Sequence, residues 1–285
     1  MDTEIYPTGL EALTMIADII IPFYNQVSLL SMCLKSIELS LNSNVRIILV
    51  NDGSDPENIK IIENSNFRLN LQIIHHQSNK GFRESIHTGL LASNHPYIVL
   101  LNSDTIIPPG AIEKIIGIIQ KNNTIKAAAP VSNAVGDLYQ FRNNLKHIGN
   151  DTNSLLSKIS SASEMLHKKN WGRYTRVPFL TAACMALDRQ CFIKAGCFSE
   201  AYQHGYFEDL DLSCRLRESG YELVVCEDAF VFHHAQGTYK HFNKIKREQI
   251  LRKNFEIFSS RWGYLTEFND LLFRLKQTSN WKLSN

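Results

Sequence analysis

Residues 45–65 read VRIILVNDGSDPENIKIIENS. A β-branched run stops at Asp52-Gly53, and a short helical segment follows that opens with Pro56. Proline is favoured in the first turn of a helix, where its missing N–H leaves no bond unmade. The segment is therefore a strand, a polar tip and a helix. Its strand is apolar at consecutive rather than alternate positions, so it needs cover on both faces.

The same unit recurs on either side. ADIIIPF (17–23) precedes QVSLLSMCLKSIELSL (26–41), LQIIHH (71–76) precedes KGFRESIHTGLLAS (80–93), and YIVLLNSD (97–104) precedes GAIEKIIGIIQKN (110–122). Four strand–helix alternations predict an α/β fold with a mostly parallel sheet and helices on both faces. Ligands of such sheets bind beyond the carboxyl ends of the strands. Those ends are polar or carry glycine here: Pro22 to Asn25, Asn51 to Ser54, Gln77 to Phe82 and Asn102 to Asp104.

After IKAAAPVSNAVGD the rhythm breaks. Residues 137–174 are rich in Asn, Ser and Lys and weakly helical at LLSKISSASEMLHKK, which predicts an insertion over the sheet serving as a mobile lid. Order returns with VPFLTAACMALDRQCFIKAG (177–196) and YFEDLDLSCRLRESGYELVVCEDAFVFHH (206–234), and a basic helical tail follows from 236 to 285.

Bulk properties narrow the field. With 285 residues, 44% hydrophobic and 20% charged, the chain can bury a sizeable core. A net charge of +2 marks no nucleic-acid binder. The first residues lack a basic region followed by an apolar one, and no apolar run approaches the roughly 20 residues of a membrane helix. Six cysteines without a C-x-x-C pair read as free, buried thiols of a reducing compartment, so the expected location is the cytoplasm. No G-x-G, no P-loop and no G-x-S-x-G occurs, which removes dinucleotide enzymes, P-loop kinases and serine hydrolases of the elbow type.

Carboxylates and histidines remain. Asp52 suits either hydrogen bonds from a nucleobase or ribose, or a plain Asx turn. Asp104 suits either a hard divalent cation, which takes one or two carboxylates plus phosphate oxygens, or a turn cap. Glu208, Asp209 and Asp211 open a helix, where acids favour the positive end by up to ~1 kcal/mol each, or supply a base. Alternation puts His233 and His234 on opposite faces of a strand, so one of them at most faces a site.

In order, IIIPFYN, ILVNDGSDP, NKGFRESIHTGL, YIVLLNSDT, FLTAACMALDRQCFIKAGCFSE, FEDLDLSCRLRESGY and FHHAQGTY resemble the family 2 glycosyltransferases of the GT-A fold, over most of the chain. The resemblance implies an inverting, metal-dependent hexosyl- or deoxyhexosyltransferase, moving a sugar from a UDP- or dTDP-linked donor to a saccharide or lipid-linked acceptor of a bacterial surface glycan. It implies a GT-A domain over 1–235, with a nucleotide-sugar half at 17–131 and an acceptor and catalytic half at 132–235, ahead of the tail at 236–285. Carried over by position, Pro22, Phe23, Asn25, Asp52, Lys80, Gly81, Asn102 and Ser103 line the nucleotide-sugar pocket. Asp104 and His233 meet Mn²⁺ or Mg²⁺. Asp209 is the base, with Glu208 its competitor. Arg173 or Arg176 would add charge from the insertion. Two positions depart from the pattern: Asn102 replaces the first acid of D-x-D, and His87 replaces an asparagine of the third helix. A nucleotidyltransferase and a non-catalytic nucleotide-sugar-binding module are the competing readings.

The tail carries Leu251, Phe255, Phe258 and Trp262 at helical spacing beside clustered Lys and Arg. A stripe packed on the domain or on a second subunit of a homodimer is favoured over peripheral contact with the inner face of a membrane.

Overall fold

The computed structural model describes residues 3–5, 17–41, 45–134, 152–202, 205–235 and 244–263. Four strands form the half nearest the N-terminus: β2 (Ala17–Phe23), β3 (Val45–Asn51), β4 (Leu71–His75) and β5 (Tyr97–Leu101), with β1 (Thr3–Ile5) set apart at the far edge of the sheet. They lie in the order β4-β3-β2-β5 and every pairing among them is parallel. The chain thus builds outward from β2 to β4 and then crosses to the other side of β2. That reversal opens a crevice at the strand ends between β2 and β5. Pairing of β2 with β5 stops at Ile20–Leu100, while pairing with β3 continues to Phe23–Asn51. Pro22 therefore lies where β2 has lost one neighbour, and a residue without N–H is tolerated there.

The connecting helices are α1 (Val27–Ser40), α2 (Pro56–Glu63), α3 (Phe82–Ala92) and α4 (Ala111–Gln120). Successive strand residues point to opposite faces, and the two cores divide accordingly. Ile19 and Ile21 pack with Leu30, Leu34, Ile62 and Ile112 of α1, α2 and α4. Ile20, Ile48 and Val50 pack with Ile86 and Leu90 of α3 on the other face. Gly89 lets α3 come close, because a Cβ there would stand 2.3 Å from Cγ2 of Ile20.

Beyond β5 the sheet becomes mixed. β9 (Cys184–Asp188) runs antiparallel between β5 and β7 (Ile125–Ser132). β10 (Glu222–His233) lies parallel to β7, and its last residues also pair with the two-residue β6 (Thr105–Ile106) just after Asp104. β8 (Arg173–Arg176) closes this side antiparallel to β10 and carries β1 outside it.

Two expectations about the insertion are corrected. The helix α5 (Thr152–Asn170) is not a lid: Leu155, Ile159 and Leu166 are buried in the same core as α3, so this segment covers the sheet as an ordinary layer. Residues 135–151 lie outside the described residues. Arg173 and Arg176 belong to β8, not to a mobile segment, and Arg176 bonds Glu222 at the start of β10, the end opposite His233. Arg176 is therefore not placed to meet a leaving group at the strand tips.

The remaining helices are α6 (Arg189–Lys194), α7 (Glu208–Glu218) and α8 (Lys244–Trp262). The stripe of α8 is spent internally, since Leu251, Phe255 and Phe258 form a small core with Tyr202, Phe207 and Cys214. Residues 264–285 of the tail are outside the described residues. Among the described residues no helix is long and apolar enough to cross a membrane. All six cysteines are free, five of them buried, and burial pushes the Cys33 thiol up to about 12. Such thiols are inert.

Candidate active site

The tip of β3 is locked to the loop after β4. Asp52, 5% exposed, accepts hydrogen bonds from the backbone N–H of Lys80 (2.8 Å) and of Gly81 (2.8 Å). Its Oδ1 also lies 2.9 Å from Nδ1 of His76, whose Nε2 is 2.9 Å from Thr88 Oγ1 of α3. The side chain that closes this turn is Asn51, whose Oδ1 accepts from Ser54 N–H three residues on at 2.9 Å, and not Asp52. Asn25, at φ 53, ties the neighbouring loop down: its Oδ1 accepts from Asp55 N–H and from Asn58 Nδ2, both at 2.9 Å. Pro22, Phe23, Asn25, Asp52, Lys80 and Gly81 therefore gather at one edge of the crevice, built by the ends of β2, β3 and β4. His87 is exposed on α3.

Asn102, Ser103 and Asp104 follow β5 on the other side of the crevice. The tip is braced by backbone bonds from Asn102 N–H to Ala183 O and from His234 N–H to Asp104 O, both 2.9 Å. Pairing of β6 with β10 then carries His233 to Asp104: Nε2 stands 3.0 Å from Asp104 Oδ1 and 3.4 Å from Asn102 Nδ2. On its other side Nδ1 lies 2.6 Å from Ala134 O, and a carbonyl accepts only, so Nδ1 carries the proton. This fixes the tautomer that offers Nε2 to a metal, with a carbonyl behind it to orient the ring. Burial opposes charging His233, but the hydrogen bond and charge of Asp104, with the Ala134 carbonyl, outweigh it and hold its pKa above the usual histidine value. His234 is pulled below that value by burial and packs edge-on against Phe232, 5.0 Å between centroids. Of the two histidines, His233 faces the site.

The residues fit a divalent cation. Two ligands of one octahedral ion at about 2.1 Å stand roughly 3 Å apart, the spacing of His233 Nε2 and Asp104 Oδ1. Turned about its last bond, the Asn102 amide offers a neutral oxygen to the same point. Among the described residues no three His, Cys, Asp or Glu side chains converge. Two protein ligands plus an amide leave coordination positions for substrate phosphates, as hard-cation sites of transferases do.

The third component is the start of α7. Gly205, Tyr206 and Phe207 all have positive φ (83°, 68° and 76°). Left-handed backbone at a bulky residue costs of order 1–3 kcal/mol and persists only where its surroundings enforce it. The turn delivers Glu208 and Asp209 as the first two residues of the helix. Asp209 Oδ2 accepts from Ala182 N–H at 3.2 Å and Oδ1 from Leu210 N–H at 2.9 Å. Burial raises both carboxyls; for Glu208 the charge of Asp209 adds to it, and Glu208 Oε2 has no hydrogen-bond partner among the described residues. Asp211 is structural. Fully buried, it takes Arg215 Nε at 2.8 Å, Trp262 Nε1 at 2.9 Å and Tyr202 Oη at 3.2 Å.

Ala182 N–H holds Asp209 and the adjacent Ala183 O holds Asn102. Consecutive Cα atoms are about 3.8 Å apart, so the acid pair and the strand tip share one mouth. His76, Thr88, Ala134 and Ala182 are members that no sequence signal singled out. Three of these four contacts use backbone or lie behind another side chain, and His76 carried only the polar end of a strand as a hint.

Solved structures share this architecture across nearly the whole chain. The mannosyltransferase PcManGT from Pyrobaculum calidifontis, in complex with GDP-Man and Mn²⁺, superposes with a TM-score of 0.59 over 92% of this chain and 69% of its own, at 16% identity. Residues 1–349 of TarS from S. aureus, in complex with UDP-GlcNAc, do so at 0.57 over 93% and 72%, at 14% identity. The fold is therefore that of the GT-A glycosyltransferases. The profile described as Glycosyl transferase family 2 matches residues 18–194, more than half of the chain, and the chain belongs to that family. An uncharacterized glycosyltransferase of Haemophilus influenzae is 30% identical over 113 residues, 39% of this chain and 35% of that protein. The chain spans about a third of the length of such curated relatives.

Proposed function

We propose that the protein transfers a sugar, with inversion, from a UDP- or dTDP-linked donor to a hydroxyl of a saccharide or lipid-linked acceptor in the building of a bacterial surface glycan. The observation that carries this reading is the shared mouth: Asn102 and Asp104 at one strand tip, with His233 beside them, and Asp209 tethered one residue away. Family membership and solved relatives that bind GDP-Man with Mn²⁺ or UDP-GlcNAc support the donor class.

In this reading Asp104 and His233 hold a divalent ion, Mn²⁺ or Mg²⁺, with Asn102 adding a neutral oxygen. When bound, that ion supplies Lewis-acid charge to the diphosphate. The loops of Asp52 and Gly81 take the nucleoside. Asp209 accepts the proton of the acceptor hydroxyl. The acceptor oxygen bonds the anomeric carbon from the face opposite the phosphate, and the carbon–oxygen bond to the phosphate breaks, its electron pair leaving with the nucleoside diphosphate. One displacement inverts the centre. Burial brings Asp209 nearer the working pH than an ordinary aspartate, which suits a general base worth a factor of 10²–10⁴. Glu208, pushed up by burial and by Asp209, keeps its proton and does not compete.

The test is a thermal-shift panel of UDP, dTDP and GDP with and without Mn²⁺, followed by assay of nucleoside diphosphate released from the matching sugars. Metal-dependent release, intact nucleotide binding in Asp209→Asn and a loss of turnover by about 10²–10⁴ in that variant are expected. Pyrophosphate as product would make the protein a nucleotidyltransferase, and tight binding without turnover a binding module.

A further inference from the structure

The turn that presents Glu208 and Asp209 is gripped from outside the sheet. Asn254 of α8, 1% exposed, donates from Nδ2 to Gly205 O at 2.8 Å and to Tyr206 O at 3.1 Å. Those carbonyls belong to two of the three consecutive left-handed residues. The third, Phe207, packs against Phe258 at 5.4 Å between ring centroids and Phe255 at 6.2 Å, both on α8. One turn further, Trp262 Nε1 donates to Asp211 Oδ1 at 2.9 Å and Arg261 reaches the same oxygen at 3.1 Å. The first turn of α7 therefore touches α8 at its entry, its cap and its fourth residue. No side chain caps α7 from within, since Phe207 offers none. A strained turn without a cap of its own is held by what packs on it.

We propose that Asn254 is a positioning residue for the transfer reaction: by holding the carbonyls of Gly205 and Tyr206 it keeps the left-handed turn in register and Asp209 aimed into the mouth. The inference rests on the reading of Asp209 as the base. It gives α8 a role beyond filling space, and it lies past residue 194, where the family match ends. An asparagine suits the task because its amide has two N–H donors, one for each carbonyl. An aspartate in its place would have the same shape and no donor.

The experiment uses the full chain. Asn254→Asp is compared with Leu251→Ala, which thins the same buried stripe without a bond to the turn, and with Asp209→Asn. Three quantities are read: melting temperature, affinity for UDP, dTDP and GDP with Mn²⁺, and kcat for nucleoside diphosphate release from a panel of UDP-, dTDP- and GDP-hexoses. Asn254→Asp is expected to lower kcat at least tenfold with nucleotide affinity within about twofold, while Leu251→Ala lowers the melting temperature and keeps kcat. Wild-type kcat in Asn254→Asp overturns the inference, as does an equal loss of kcat in Leu251→Ala. If Asn254→Asp does not fold, Asn254→Ala removes both donors without adding a charge; there too kcat falls with affinity kept, and an unchanged kcat is the overturning result. Turnover retained in Asp209→Asn, or absent in the wild-type chain on every sugar, removes the base reading and this inference together. Turnover lost in Asp209→Asn but kept in Asn254→Asp removes the inference alone.

Discussion

Nε2 of His233 stands 3.0 Å from Oδ1 of Asp104, although 129 positions separate them in the chain. With Nδ1–H committed to Ala134 O, a neutral His233 turns a lone pair toward a carboxylate. Protonated, His233 donates Nε2–H to that carboxylate; neutral, it leaves two acceptors at a spacing that suits two ligands of one divalent ion. Manganese affinity, read by calorimetry in the presence of UDP, is therefore expected to fall roughly tenfold or more in His233→Ala, since the histidine is one of the three protein ligands in the proposed reading. Asp104→Ala should abolish it. Unchanged affinity in both variants would place the metal elsewhere.

Gly53 has φ +74°, and a Cβ there would lie 2.5 Å from the carbonyl carbon of Ser78 and 2.6 Å from Asn79 N. Both are backbone atoms of the loop that reaches Asp52, and neither can swing aside. Gly53→Ala must push apart the tips of β3 and β4, through which Lys80 and Gly81 hold the Asp52 carboxylate. The substitution is expected to cost about 1–3 kcal/mol, as overpacking of a tight site does, and to weaken nucleotide binding more than manganese binding. Melting curves and nucleotide titrations of the variant check both effects.

The parallel half of the sheet was legible because its strands are apolar at consecutive positions and its tips are polar. ILVNDGS and YIVLLNSD carry the whole message locally. The mixed half was not legible in the same way. CMALD reads as a strand, but nothing local tells that it slots antiparallel between β5 and β7, because that choice depends on which edge is left open after β5. The two-residue β6, the edge strand β1 and its neighbour β8 are too short to leave a period. The lid expected at 137–174 rested on polarity alone; α5 hides its core contacts at Leu155, Ile159 and Leu166 among serines and lysines. Within the candidate site, the side chains with charge were visible, and the groups that aim them were not. Ala182 N–H, Ala134 O and Asn254 act through backbone or from a distant helix.

Gly89 sets the distance between α3 and β2. A methyl there would approach Cγ2 of Ile20, a fully buried side chain of the central strand, to 2.3 Å. Alanine raises intrinsic helix propensity by about 1 kcal/mol, yet the clash of a buried methyl costs about 1–3 kcal/mol, so the net effect is loss. Gly89→Ala is expected to lower the melting temperature. Adding Ile20→Ala should clear the clash, so the double variant loses less than the sum of the two single ones. Additive losses would mean that α3 shifts freely, contrary to the packing described.

Glu208, buried, and Asp209, half-buried, stand side by side at a helix start, and one Glu208 oxygen has no hydrogen-bond partner among the described residues. Burial first, and then the Asp209 charge, raise the Glu208 carboxyl above its ordinary value. For a carboxyl raised in the folded state, the protonated form is the stable one. Its contribution is fully present below the unfolded-state value of about 4.3 and is lost as pH climbs through the raised folded-state value. Glu208→Gln keeps the shape and cannot ionise, so it removes this loss. A tenfold change in a carboxyl's proton affinity is worth about 1.4 kcal/mol, and 1 kcal/mol moves the melting temperature of a domain of 150–250 residues by about 2–4 °C. The variant is therefore expected to melt close to the wild type at pH 5 and at least about 3 °C above it at pH 9. A difference that does not grow with pH would mean that Glu208 is ionised in the folded protein and paired with a cation, and Asp209 would then lose its claim to be the sole base of the pair.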